Sequence, residues 1–155
     1  MEGLSFAINM EVEGEAYYRE QAQKNRGNAL EQVFSDLADE ESRHAALLRE
    51  CEREQPFTGG EDFSSNVFDG LSDFATDMKA EPGQIDAYRM ALGMEQKSVE
   101  LYEKLLGQAG GHSELYEFLI DQEKEHYRVL EEIIRLLSHA EDWVESAEFG
   151  TREEY

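Results

Sequence analysis

Apolar residues recur in this chain at helical spacing, and each apolar stripe is broken near its middle by an acid or a histidine. Leu30, Phe34, Leu37, Leu48 and Cys51 fall on one stripe. Ile85, Tyr88, Leu92, Val99, Tyr102 and Leu106 form a second, and Tyr116, Leu119, Leu130, Ile133 and Leu137 a third. A shorter stripe joins Leu4, Ile8 and Tyr18. Three- and four-residue steps place side chains on one face only in an α-helix. The spacing predicts helices over 4–25, 29–53, 84–108 and 113–138. At about 1.5 Å per residue the longer ones span somewhat under ~40 Å.

The residues between the stripes set the topology. Gly27 reads as a helix C′ position and Asn28 as an N-cap, with Glu31 three residues on. Pro82-Gly83 opens the third helix and Gly110-Gly111 closes it. Short connections make the first and second pairs antiparallel hairpins. Residues 55–83 are too many for a turn and carry Phe63, Phe68, Leu71, Phe74 and Met78, so they read as a crossover with a short amphipathic helix. The expected architecture is all-α: a ferritin-like four-helix bundle of two hairpins joined by a long crossover. A shorter tail helix around 141–147, holding Trp143, is expected to follow within 139–155, so the chain reads as a single domain over 1–155.

Composition narrows the function. The 155 residues include 36 acids against 14 Lys and Arg, a formal net charge of -22. Nucleic-acid backbones and anionic membranes both need a basic face, so neither is an expected partner. With 40% apolar residues the charge does not imply disorder. The single cysteine excludes an internal disulfide and a thiolate-held cluster. With no long apolar run and no leader pattern, a cytoplasmic protein is expected.

The breaks in the stripes carry the chemistry. The second helix has Glu41 and His44 where apolar residues are due, and the fourth has Glu123 and His126. The first and third are broken at Glu11 and Glu95. The pattern is duplicated: Ala7-Ile8-x-x-Glu11-x-x-Gly14-x-x-x-Tyr18 matches Ala91-Leu92-x-x-Glu95-x-x-Ser98-x-x-x-Tyr102. Likewise Phe34…Leu37-x-x-x-Glu41-x-x-His44-x-x-x-Leu48 matches Tyr116…Leu119-x-x-x-Glu123-x-x-His126-x-x-x-Leu130. One core glutamate can be held neutral by a proton, but four at one level cannot all ionise without counter-charge. Two divalent cations cancel four carboxylates, and residues i and i+3 share a helix face, so each Glu-x-x-His can address one ion. Carboxylate and imidazole donors without thiolate favour two iron ions, with manganese or zinc as possible substitutes.

This ligand spacing resembles the rubrerythrin-like branch of the ferritin-like di-iron carboxylate proteins, over about residues 4–138. The resemblance implies Glu11 and Glu95 as terminal ligands, Glu41 and Glu123 as bridging carboxylates, and His44 and His126 as nitrogen ligands. It implies a di-iron oxidoreductase that reduces hydrogen peroxide or dioxygen while oxidising Fe(II), or alternatively a ferroxidase serving iron storage or detoxification. It also implies a homodimer or larger assembly. Rubrerythrins proper carry one more glutamate three residues after the third-helix ligand, where this chain has Ser98. They also carry a four-cysteine rubredoxin-like domain, so an external electron donor such as a rubredoxin is expected here.

Tyr18 and Tyr102 each lie two turns beyond a ligand glutamate and are expected to hydrogen-bond a ligand carboxylate. Phe34 and Tyr116 are expected core layers, and Gly14 and Gly93 points of close helix approach. Glu15, Glu40 and Glu125 read as solvated or helix-pairing charges, His112 and His139 as helix-end residues, and Cys51 as a small buried hydrophobe.

Overall fold

The structure, a computed structural model, describes residues 2–60, 83–108 and 110–153, with side chains described up to residue 139. Four helices account for nearly all of it: α1 (Glu2–Lys24), α2 (Leu30–Glu52), α3 (Gln84–Leu106) and α4 (Ser113–Glu153). Helix α1 packs along α2 and α3 along α4, and the two hairpins meet where α1 faces α3 and α2 faces α4. The expected all-α four-helix bundle is what forms. The amphipathic helix expected in the crossover lies outside the described residues.

The turn chemistry explains the hairpin ends. Gly27 adopts φ 91°, the left-handed conformation that favours glycine after a helix. The expected N-cap lies one residue later, at Ala29, which offers no side-chain cap. Asn28 Oδ1 still accepts the Leu30 N–H at 2.8 Å, its carbonyl accepts the Glu31 N–H, and Glu31 Oε2 accepts the Gly27 N–H at 2.8 Å. Gly83, at φ 84°, turns the chain into α3.

One boundary differs from expectation. Residues 141–147 are helical, but as the continuation of α4 rather than as a separate tail helix, and His139 therefore lies inside α4 and not at its end. The sequence places no Gly or Pro between 113 and 149, so nothing in it interrupts the helical hydrogen-bond ladder.

The core falls into two apolar clusters. One gathers Tyr18, Leu30, Phe34, Leu37, Tyr88, Leu130, Ile133 and Leu137; the other gathers Leu4, Leu48, Cys51, Val99, Tyr102, Leu115, Tyr116 and Leu119. Phe34 stacks on Tyr18 with centroids 6.1 Å apart, and Tyr116 on Tyr102 at 6.5 Å. Each expected core aromatic thus backs one of the two tyrosines. The six polar residues that broke the stripes lie in none of these clusters, and they too are buried.

Candidate metal centre

Glu11, Glu41, His44, Glu95, Glu123 and His126 are each 3% exposed or less. Every helix contributes: α1 brings Glu11, α3 brings Glu95, and α2 and α4 bring a Glu-x-x-His each. Along α2 and α4 the glutamate and histidine are one helical step apart on a face, so both reach the interior together.

The side chains sort into two four-donor groups. Glu11, Glu41, His44 and Glu123 offer ligand atoms that all lie within 4.8 Å of one another, and so do Glu41, Glu95, Glu123 and His126. Glu41 and Glu123 belong to both groups. Donor atoms surrounding one first-row ion at about 2.0–2.2 Å are separated by no more than roughly 4.4 Å, close to what each group provides.

The histidines present Nδ1 to this space. His44 Nδ1 lies 2.8 Å from Glu123 Oε1 and 3.4 Å from Glu11 Oε2; His126 Nδ1 lies 3.0 Å from Glu41 Oε1 and 3.5 Å from Glu95 Oε1. The two imidazoles stack, 5.5 Å between centroids and 11° between planes. Glu41 and Glu123, the two carboxylates shared by both groups, therefore each meet the histidine of the other hairpin, an arrangement with approximate twofold symmetry.

The tyrosines cross over as well. Tyr18 of α1 donates to Glu95 Oε1 of α3 at 2.5 Å, and Tyr102 of α3 donates to Glu11 Oε1 of α1 at 2.5 Å. The sequence pattern suggested a carboxylate partner but not which one; hairpin docking supplies the glutamate of the opposite hairpin. Burial, reinforced by Glu95 for Tyr18 and by Glu11 for Tyr102, holds both phenols well above their usual range, so they stay protonated and remain donors.

The carboxylates divide by charge. Burial pushes Glu41 and Glu123 well above the ordinary carboxylate range, and the neighbouring glutamate charges push them further. Burial also acts on Glu11, but the charge of His44 and hydrogen bonds from Glu41, His44 and Tyr102 outweigh it and lower that group. Glu95 is pulled down to about 2 against its burial, by hydrogen bonds from Glu123, His126 and Tyr18 and the charge of His126. His44 is raised, because the nearby Glu11 outweighs burial. Glu41 and Glu123 are thus the carboxylates of this cluster that hold a proton most readily, which offsets part of the buried negative charge. Glu11 Oε2, Glu95 Oε2 and Glu123 Oε2 are buried with no hydrogen-bond partner. Buried carboxylate oxygens are costly when left so, and metal ligation satisfies them; the residues present fit a pair of cations.

Two features went beyond the sequence reading. Glu40, expected as a solvated or helix-pairing charge, is buried at 4% exposure. It pairs with Arg43, and its Oε2 lies 3.8 Å from His44 Nε2, on the edge of the imidazole away from the carboxylates. Its place four residues before His44 was the available signal. Gly14 and Gly93 also separate. A Cβ on Gly14 would lie 3.0 Å from Glu41 Oε2, whereas one on Gly93 would meet no atom within 4 Å. Of these two, Gly14 is the point of close approach. The other near-seam acids behave as expected: Glu15 pairs with Arg19, and Glu125 with Arg128. Cys51 is buried.

A four-helix bundle that buries two Glu-x-x-His pairs and two further glutamates around one space defines the class of carboxylate-bridged dimetal proteins. The rubrerythrin family model matches residues 2–134, and the chain belongs to the rubrerythrin family. No curated protein and no solved structure matches it.

Proposed function

We propose that this protein is a di-iron oxidoreductase that reduces hydrogen peroxide or dioxygen with oxidation of Fe(II). The observation that supports this most is the pair of buried four-donor groups sharing Glu41 and Glu123. Glu11 and His44 would complete the hold on one ion, and Glu95 and His126 on the other. Two bound iron ions would supply one-electron redox chemistry towards the oxidant, which four carboxylates and two imidazoles do not possess.

The chain's own residues do the rest. Tyr18 and Tyr102 orient the terminal carboxylates through their hydroxyls. Glu41 and Glu123 carry protons when the site is metal-free and release them as cations bind, which couples loading to pH. The two apolar clusters close the site at both ends along the bundle axis.

A second reading, an iron-handling ferroxidase, draws on the formal charge of -22, which concentrates Fe(II) around the bundle. Metal analysis of the purified chain should find about two ions per chain, and Glu41→Ala or Glu123→Ala should reduce that to less than one. Stopped-flow oxidation of the Fe(II)-loaded protein, with peroxide and with dioxygen in separate runs, then divides the readings. Faster reaction with peroxide supports a peroxidase. Turnover of excess Fe(II) by dioxygen with no added donor supports the ferroxidase. A chain that binds no metal and keeps its stability in chelator would refute both.

A further inference from the structure

A cleft of about 510 Å³ lies between α1 and α3, on the side of the bundle away from Phe118 and the start of the crossover. Its walls are Phe6 and Met10 from α1 and Met94 and Leu101 from α3, and its floor is formed by the metal-centre glutamates Glu41 and Glu95. The floor is open because the paired positions in the internal repeat, Gly14 and Ser98, are both small. The Ser98 hydroxyl donates its proton to the Met94 carbonyl of its own helix at 3.2 Å. Phe6 is 59% exposed and forms an upper lip.

The volume argues about the occupant. Dioxygen or peroxide needs a small fraction of it, whereas clefts of about 300–1,000 Å³ with apolar walls and a few polar groups hold organic molecules. The polar groups are at the rim. Lys97 and Lys104 sit two turns apart on α3, and among the described residues neither is in an ion pair. In a chain with 36 acids and only 14 Lys and Arg, two such lysines beside one apolar cleft are unusual. Of the acids on the same rim, Glu100 accepts a hydrogen bond from Gln96 at 3.2 Å, and Glu13 faces from α1. One anionic group is matched by the lysines, while a head group with two or more charges would be repelled by the glutamates.

We propose that the α1/α3 cleft binds a single-chain amphiphile with one carboxylate, its alkyl chain lying along Phe6, Met10, Met94 and Leu101 and its head group at Lys97 and Lys104. The bound chain covers the opening between Gly14 and Ser98 and shields Glu41 and Glu95 from water on that side. Flexible methionine side chains suit a wall that adapts to an alkyl chain. The cleft shares Glu41 and Glu95 with the metal centre, but binding along its apolar walls and at its lysines does not depend on the redox reading.

The probe is dodecanoate below its micellar concentration, titrated calorimetrically into the full chain, with and without chelator. Saturable binding of one molecule per chain is expected. In protein labelled at the methionine methyls, the Met10 and Met94 signals should shift over the same concentration range. Lys97→Glu with Lys104→Glu should weaken binding at least tenfold, and Leu101→Trp, which fills the cleft, should abolish it while the thermal transition is retained. Met10→Trp provides a second cleft-filling variant should Leu101→Trp fail to fold. No saturable binding, equal binding of dodecanol, or undiminished binding in the variants would overturn the proposal. Methyl shifts that follow protein dilution but not dodecanoate would also overturn it, since the cleft would then be an interface between copies of the chain. Metal content is measured on the same samples. A chain that binds dodecanoate but no metal refutes the proposed oxidoreductase and not the cleft, and the converse result refutes only the cleft.

Discussion

Replacing Gly14 by alanine separates the stability of the bundle from its capacity to hold metal. The new methyl would sit 3.0 Å from Glu41 Oε2, 3.2 Å from its Cδ and 3.5 Å from its Cγ. The nearest of these is about 0.5 Å inside an ordinary contact of roughly 3.5 Å, so the carboxylate must move by about that amount. In the metal-free chain Glu41 meets His126 at 3.0 Å and can swing aside at little cost. Alanine in a helix interior gains about 0.5–1 kcal/mol over glycine, so the chelated variant should be as stable as the parent or slightly more so. In the loaded chain Glu41 belongs to both four-donor groups, and metal sites tolerate displacements of only about 0.2 Å. A perturbation of this kind costs roughly 10–100-fold in metal affinity, or about 1.4–2.7 kcal/mol. The assay pairs calorimetric melting in chelator with competition for Co(II) against a chromophoric chelator. Gly93→Ala is the control, because its methyl meets nothing within 4 Å; it should gain the same helix propensity and leave affinity unchanged. If Gly14→Ala binds metal as tightly as the parent, or if both forms lose stability equally, the steric reasoning is wrong.

Two further predictions concern the groups around the site. Tyr18→Phe removes the hydroxyl that donates to Glu95, and Tyr102→Phe the one that donates to Glu11; metal stoichiometry should stay at about two, with affinity lowered about tenfold, and a variant that arrives empty would show the phenol to be indispensable. Stability against pH should change sign with metal. Glu41, Glu123 and His44 are all raised in the folded chain, so each stabilises the metal-free fold below its unfolded value and loses that contribution as pH rises through its folded value. Glu11 and Glu95 are lowered, so their contribution is present above the unfolded value and is lost only on acidification through their folded values. Above the ordinary carboxylate range Glu11 and Glu95 are already ionised, so the raised groups set the trend. The chelated protein should melt at lower temperature at pH 8 than at pH 5.5, while the increase on adding metal should be larger at pH 8, because cations then displace fewer protons. Chelated protein that is more stable at pH 8 would contradict the protonation pattern.

The six buried polar residues were readable before folding because helices impose a strict period. A glutamate three residues before a histidine shares its face whatever else the chain does, and a duplicated pattern with all six polar residues on apolar stripes has few other uses. The duplication also marked Phe34 and Tyr116 as matching core positions, and the structure stacks them on Tyr18 and Tyr102. Glu40 was not readable as buried, because an acid one residue before the ligand Glu41 lies near the boundary between the core and solvent faces, and only the approach of the neighbouring helix decides which side it takes. The end of α4 was misread for a related reason: the apolar stripe ends at Leu137, but a helix ends only where its backbone hydrogen bonds do.

By itself, then, the sequence determined four helices, their hairpin order and the six side chains that point inward, since these depend on contacts within a few residues along one helix. Distances between helices were decided by the tertiary structure alone. Docking of the two hairpins joins Tyr18 to Glu95 and Tyr102 to Glu11 and shares Glu41 and Glu123 between two donor groups. Packing of α1 on α2 within the first hairpin sets Gly14 against Glu41, while among the described residues a Cβ on Gly93 would meet no atom within 4 Å. It also leaves the cleft between α1 and α3 open above the carboxylates. No local period encodes these pairings, because they depend on how one hairpin is rotated and shifted against the other when both bury their apolar faces.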